Sequence, residues 1–424
     1  MTDTPQINPP THFNFDHTLW RRFITIAQSY WIPAEQSPWR FFGLLVVLML
    51  LVVSTTFFLF LGFAFGGQLL LPDFFRDVAP GVVSQADSFV SSPILPGAIG
   101  VFAFAILVFV ANRGSLRSRW VQWSLLFLLL VLLFVVNGAN VALSFIFRFI
   151  DNAFQSREEP VFWRYLFTYL ALLVSAIPII VLYRYSRLKL GLFWREWLTQ
   201  RFLGRYFNQR SYYELDSNAS NTEIDNPDQR ITEDVFSFTS TTLTFLLDVL
   251  DSVLNLISFT AVLYGFSRLL TVGLVVYALL GTAVAVLLGR RLIGLNFNQL
   301  RLEANFRYGM VHVRDNAESI AFYRGEPQET KQVIERLRQA IRNQDLLIIW
   351  QSLISLFQLS YNYFSRFVPY LVLAPLYFSE QIDFGAIGQG YFAFSMVLGA
   401  VSIVTSQIQS ISSFAAGINR LGAF

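Results

Sequence analysis

Eight apolar runs divide this sequence, near 41–66, 94–111, 120–145, 162–183, 243–266, 269–289, 346–377 and 386–411. Most reach the roughly 20 residues that carry an α-helix across a bilayer. Inside hydrocarbon every backbone N–H and C=O must be paired within the protein, and runs of this length with this composition satisfy that as helices. The chain therefore reads as an all-α polytopic membrane protein. Composition agrees: charged residues make up 14%, where soluble domains carry about a quarter, and Phe alone supplies 44 of 424 residues. The second run is short and opens on Pro96 and Gly97. Pro369 and Pro375 predict a kink or break near the outer end of the seventh.

Basic residues orient the spans. With the N-terminus in the cytoplasm, the inside segments hold 25 of the 31 Lys and Arg, the asymmetry expected of an inner-membrane protein. Both termini then lie in the cytoplasm. Residues 1–40 are polar, with acids and prolines unlike a cleavable signal peptide, so they read as a cytoplasmic segment and the first span as a retained anchor. There is no Cys, and three scattered His (His12, His17 and His312) predict no metal cluster. Nucleic acid is not among the expected partners.

Two inside stretches, about 184–242 and 290–345, are much longer than the other loops. Trp194–Leu198 and Arg301–Phe306 mix charge with apolar residues at helical spacing, so the flanking spans are expected to continue as helices some 30–40 Å past the membrane. Residues 214–230 and 316–328 read as the tips of these two hairpins.

Specific motifs occupy the hairpins. They include Trp194-Arg195-Glu196-Trp197-Leu198-Thr199, Tyr212-Tyr213, and Asn226-Pro227-Asp228-Gln229-Arg230-Ile231 with Glu233-Asp234. Leu295-Asn296-Phe297, Glu303-Ala304-Asn305-Phe306-Arg307 and Asn316-Ala317-Glu318-Ser319-Ile320-Ala321-Phe322-Tyr323-Arg324-Gly325-Glu326 follow. On these motifs, from about Trp120 to Phe424, the chain resembles the transmembrane domain of SbmA/BacA-like ABC transporters, bacterial relatives of the peroxisomal fatty-acyl transporters. The resemblance implies an exporter-type six-helix core at 120–424, preceded by two additional spans at 41–111. It also implies that Asn226, Pro227, Asp228, Gln229, Arg230 and Glu318, Tyr323, Arg324, Gly325, Glu326 form coupling loops docked on a nucleotide-binding domain. The bland alternative is that these acids and arginines only cap and solvate helix ends. A dimer of two cores is implied, since one core does not enclose a cavity.

The phosphate-cradling Gly-Lys-Ser/Thr loop is missing: Lys189 and Lys331 are the only lysines, and they follow Leu188 and Thr330. This chain is expected to bind no cofactor itself, with ATP and Mg held by a nucleotide-binding domain that is a separate subunit or belongs to a longer form. Within the spans, Asp248, Asp251 and Asn255 share one helical face. Gln351, Gln358, Asn362 and Arg366 share another, and Asn137 and Asn140 lie on the first core span. Gln389, Ser402, Thr405, Ser406 and Gln409 lie on the last. These stripes read either as the lining of a polar cavity for a bulky hydrophilic solute, peptide- or cobalamin-like, or as interhelical bonds and ion pairs such as Asp251 with Arg366. A proton-driven transporter of the SbmA kind is the rival reading, with Asp248, Asp251 or Glu380 as protonation sites. An intramembrane aspartyl protease built on Asp248 and Asp251 has little to support it, because both acids sit on one helix.

Overall fold

The computed structural model describes residues 17–33, 37–70, 72–77, 80–208, 227–406, 418, 421 and 422. Tyr212, Tyr213, Asn226 and Gln409 lie outside these, as does most of the first hairpin tip. All regular elements among the described residues are helices. The long apolar runs appear as α2 (Pro38–Leu70), α5 (Ile94–Ala111), α7 (Trp120–Gln155), α8 (Glu159–Phe207), α9 (Val235–Phe266) and α10 (Arg268–Asp315). Each, with the turns that lead into it, is long and apolar enough to cross a membrane, so the chain is a multi-pass membrane protein. The seventh and eighth runs form α12 (Glu326–Phe378) and α13 (Gly385–Ser406), joined to α10 through the short α11 (Ala317–Tyr323). In α12 the apolar run is diluted by Gln351, Gln358, Asn362 and Arg366. At ~1.5 Å per residue, α8, α10 and α12 are each more than ~70 Å long, over twice the ~30 Å hydrocarbon core.

Two expectations change. Residues 1–40 are not merely a polar segment, since His17–Trp31 forms an amphipathic helix, α1. Leu19, Ala27, Tyr30 and Trp31 are buried on one side of it while Arg21 and Arg22 are exposed. And α12 does not break at its prolines: it continues unbroken through Pro369 and Pro375 to Phe378. A proline removes one N–H and crowds one carbonyl, and α12 absorbs both, as α8 absorbs Pro178.

The chain divides into two compact units. The first comprises residues 1–258 and 410–424, the second residues 259–409. In the first, α7 and α8 form an antiparallel hairpin that brings Phe149 over Tyr165 at 5.0 Å between ring centroids. Its core joins Leu48 and Val52 of α2, Leu129 and Leu133 of α7, Leu190, Trp194 and Leu198 of α8, and Phe238 and Leu247 of α9. The additional spans α2 and α5 are linked through α3 (Pro72–Asp77) and α4 (Pro80–Ser91). Leu61, Ala64 and Ala86 form a small core there, under Phe57, Phe58 and Phe89.

In the second unit α10 and α12 pair antiparallel along most of their length. Three contacts fix their register. Tyr277 and Tyr361 stack at 4.5 Å, and the hydroxyl of Tyr277 donates to the carbonyl of Tyr361 at 2.6 Å. Nearer the tip, the Asn343 amide donates to the carbonyl of Leu295 at 3.0 Å and to Gln299 Oε1 at 2.8 Å. Further still, Arg336 donates to the carbonyl of Asn305 at 3.1 Å. Gly281 packs directly against the Tyr361 ring, where a methyl group would collide.

Candidate functional site

The α10–α12 hairpin ends in a built tip. Asn316 follows α10 and returns its side-chain amide to the carbonyl of His312 at 2.9 Å. The two-turn α11 then ends at Arg324, whose φ of 51° is left-handed. Gly325 N–H bonds the carbonyl of Ile320 at 2.9 Å and Arg324 N–H bonds that of Ala321 at 3.3 Å. This is the paired 6→1 and 5→2 closure that usually recruits glycine at its left-handed position. Here Arg324 takes that position and Gly325, with φ −81°, opens α12. Glu326 and Glu329 lie in the first turn of α12, beside its positive end, with Pro327 at a position needing no N–H. Glu318, Arg324 and Glu326 are exposed. So are two aromatic rings, Phe322 at 82% and Tyr323 at 80%, packed edge to face at 5.1 Å.

The described part of the other tip begins at Pro227. One helical turn, Pro227–Gln229, leads into a wider π-turn, Arg230–Asp234, ahead of α9. Such turns are rare and gather at functional sites. Asp228 and Gln229 face outward, while Arg230, Ile231 and Asp234 are buried. Gln229 reaches Glu233 at 3.1 Å. Of the residues expected to couple, Arg230 is therefore a packing residue in this structure and Asp228 and Gln229 are the available ones.

Within the first unit intramembrane polar residues form two bonded groups, one between α8 and α9 and one between α7 and α9. Arg187 of α8 pairs with Asp248 of α9 at 3.0 Å. One turn on, Asp251 accepts from Asn255 at 3.1 Å. Asn137 of α7 donates to Asn255 Oδ1 at 2.8 Å and accepts from Ser258 at 2.8 Å. Asn137 and Asn255 are buried, so their bonds hold α7 to α9. Asn140 turns away from them into a narrow cleft of about 80 Å³ between α7 and α8, against Ala176 and Ile180. In the second unit Gln358, Asn362 and Arg366 remain exposed along one face of α12, with Arg366 over the Tyr363 ring at 5.5 Å. Gln389 is fully buried on α13.

Sequence reasoning missed a third feature. Tyr30 of α1 stacks on Trp194 at 5.5 Å, Trp31 meets Trp123 edge-on at 5.7 Å, and the Trp123 indole donates to the carbonyl of Trp31 at 2.9 Å. Arg119 caps the end of α1 by donating to the carbonyls of Ser29, at 2.7 Å, and Tyr30. Its guanidinium also lies over Trp197, as does that of Arg201. Burial pushes the Tyr30 hydroxyl well above the usual tyrosine range, and its oxygen has no hydrogen-bond partner among the described residues. The available signal was the spacing of Leu19, Phe23, Ala27, Tyr30 and Trp31, one face of a helix ahead of the first span.

Comparison with known proteins agrees with this architecture. Residues 116–378 match the model of the ABC transporter transmembrane region 2. Over 413 residues the chain is 57% identical to an ABC transporter ATP-binding protein of Synechocystis sp., covering 97% of this chain and 62% of that protein. It is 41% identical over 288 residues to the chloroplastic ABC transporter D family member 2 of Arabidopsis thaliana, 68% of this chain and 40% of that one. It is 31% identical over 192 residues to the lysosomal cobalamin transporter ABCD4 of Homo sapiens, 44% of this chain and 30% of that one. The chain thus spans less than two thirds of the length of these relatives. It belongs to the ABC transporter transmembrane region 2 family and is the membrane component of such a transporter.

Proposed function

We propose that this chain forms the translocation path of an ATP-driven transporter of the bacterial inner membrane and receives its stroke through the two hairpin tips. The observation that carries this reading is the tip at 316–326: a closed, capped turn at the end of two helices over ~70 Å long, presenting Phe322 and Tyr323 to solvent. A nucleotide-binding domain holding ATP and Mg docks there and at Asp228–Glu233. The register contacts Tyr277–Tyr361, Asn343–Leu295 and Arg336–Asn305 make the hairpin a lever, because a push at the tip has no loose joint in which to dissipate. Two copies facing each other enclose the path, with the exposed Gln358, Asn362 and Arg366 toward it. Its cargo is a bulky hydrophilic solute, peptide- or cobalamin-like; the name of the human relative supports the second. The alanine pair Phe322→Ala/Tyr323→Ala tests the docking. Cargo-stimulated ATP hydrolysis by the assembled transporter should fall about tenfold, the loss of roughly 1.4 kcal/mol of contact. Unchanged stimulation would remove the tip from the mechanism.

A further inference from the structure

We propose that the polar end of the α7–α8 hairpin carries a binding site for the headgroup of an anionic, hydroxyl-bearing phospholipid, of which phosphatidylglycerol is the simplest. An open cleft of about 250 Å³ lies there, lined by Val121, Gln122, Phe193, Glu196, Trp197 and Gln200. Its level is set by tryptophan. Seven of the nine tryptophans are on α1 or at the adjacent ends of α2, α7 and α8: Trp20, Trp31, Trp39, Trp120, Trp123, Trp194 and Trp197. Indoles gather where hydrocarbon meets water, and Trp20, Trp39 and Trp120 remain more than half exposed. On this proposal the cleft opens at headgroup depth, so the membrane face lies near Trp197 rather than at residue 184 and only the end of α8 extends past it.

Its chemistry selects among headgroups. Arg119 and Arg201 lie over Trp197 at 5.2 and 5.3 Å, and Lys189 lies over Phe193 at 5.0 Å. Three cations thus attend the two rings of the lining, against the one carboxylate of Glu196. The balance is positive and favours a lipid with net negative charge over a zwitterion. Inside the cleft the demand is reversed. The Glu196 carboxylate can only accept, and it receives a single long hydrogen bond, from the Gln200 amide at 3.5 Å. Gln122 Oε1 is buried with no partner among the described residues. The buried Gln122 oxygen lacks a donor and the exposed Glu196 carboxylate has room for another, and a glycerol headgroup supplies both through its hydroxyls while its phosphate stays with the arginines and Lys189. Phosphatidic acid offers the phosphate without such hydroxyls, and phosphatidylethanolamine offers donors without net negative charge.

The test uses the full chain in phosphatidylcholine nanodiscs doped equally with phosphatidylglycerol, phosphatidic acid or phosphatidylethanolamine. Lipid retained on the protein after a mild detergent wash is counted by mass spectrometry. Phosphatidylglycerol should be retained about fivefold above the other two, the factor that one basic contact near the membrane surface supplies. Glu196→Gln and Gln122→Leu should erase its margin over phosphatidic acid. Arg201→Gln should lower both acidic lipids together. Purely electrostatic binding predicts the opposite for Glu196→Gln, a gain for both. Equal retention of the three lipids, a preference for phosphatidylethanolamine, or a margin that survives both cleft variants would overturn the assignment.

Discussion

At the scale of single residues, Asn255 is the joint of the intramembrane network, donating to Asp251 and accepting from Asn137. Replacing it with Ala strands two polar partners, so Asn255→Ala should destabilise the chain by about 1–3 kcal/mol, read as a lower midpoint on thermal melting in nanodiscs. A cycle with Asn137→Ala should show coupling nearer 1 kcal/mol, because polar groups in an opened bundle find other partners. Arg324 gives the opposite sign. A non-glycine residue held left-handed costs about 1 kcal/mol, so Arg324→Gly should raise hydrogen-exchange protection across Ala317–Gly325. Tyr30 belongs with these. Its buried hydroxyl lacks a partner among the described residues, so Tyr30→Phe should be neutral or stabilising by up to about 1 kcal/mol. The folded state holds this proton longer than the unfolded state does. Stability is therefore lost as pH rises past the ordinary tyrosine value of 10.0, and Tyr30→Phe should lose less over that range.

At the scale of elements, α1 is held by one residue more than by its own length. Its fifteen residues are marginal as an isolated helix, and Arg119 satisfies carbonyls at its C-terminal end while sharing the Trp197 ring with Arg201. Arg119→Ala should raise exchange across residues 17–31 about tenfold or more, the factor that follows from losing some 1.5 kcal/mol of charged hydrogen bonding. Unaltered protection would show that the aromatic stack alone is sufficient. This element also marks where sequence reading stops. The long spans were legible because a run of 20 apolar residues has one solution in a bilayer. The helical extensions were legible because their charges keep a 3.6-residue period. α1 was not: its polar face, with Arg21, Arg22 and Thr25, hides an apolar stripe whose partners, Trp123, Trp194 and Phe238, lie far along the chain. The unbroken α12 is a similar case. Two prolines signal a break locally, and only packing against α10 and α13 shows why the helix continues.

At the scale of the whole molecule, the polar stripes seen in sequence divide into two kinds. Asn137 of α7 with Asn255, and Asp248 of α9 with Arg187, tie helices together, Arg187 being a cation that hydropathy had placed past the end of its span. The stripe on α12 stays open. Periodicity alone does not separate them, because an inward face and a cavity face have the same spacing. The residues proposed to couple divide similarly, Arg230 buried and Asp228, Gln229, Tyr323 and Arg324 exposed. The central claim is that this membrane component acts only when an ATP-binding domain drives it. It is tested most directly by ATP hydrolysis and solute uptake in sealed vesicles containing the purified chain, alone and with that domain added. The account predicts neither activity from these 424 residues alone, and both once the domain is present, with uptake indifferent to collapse of the proton gradient. Uptake without nucleotide that disappears when the gradient is collapsed would contradict it.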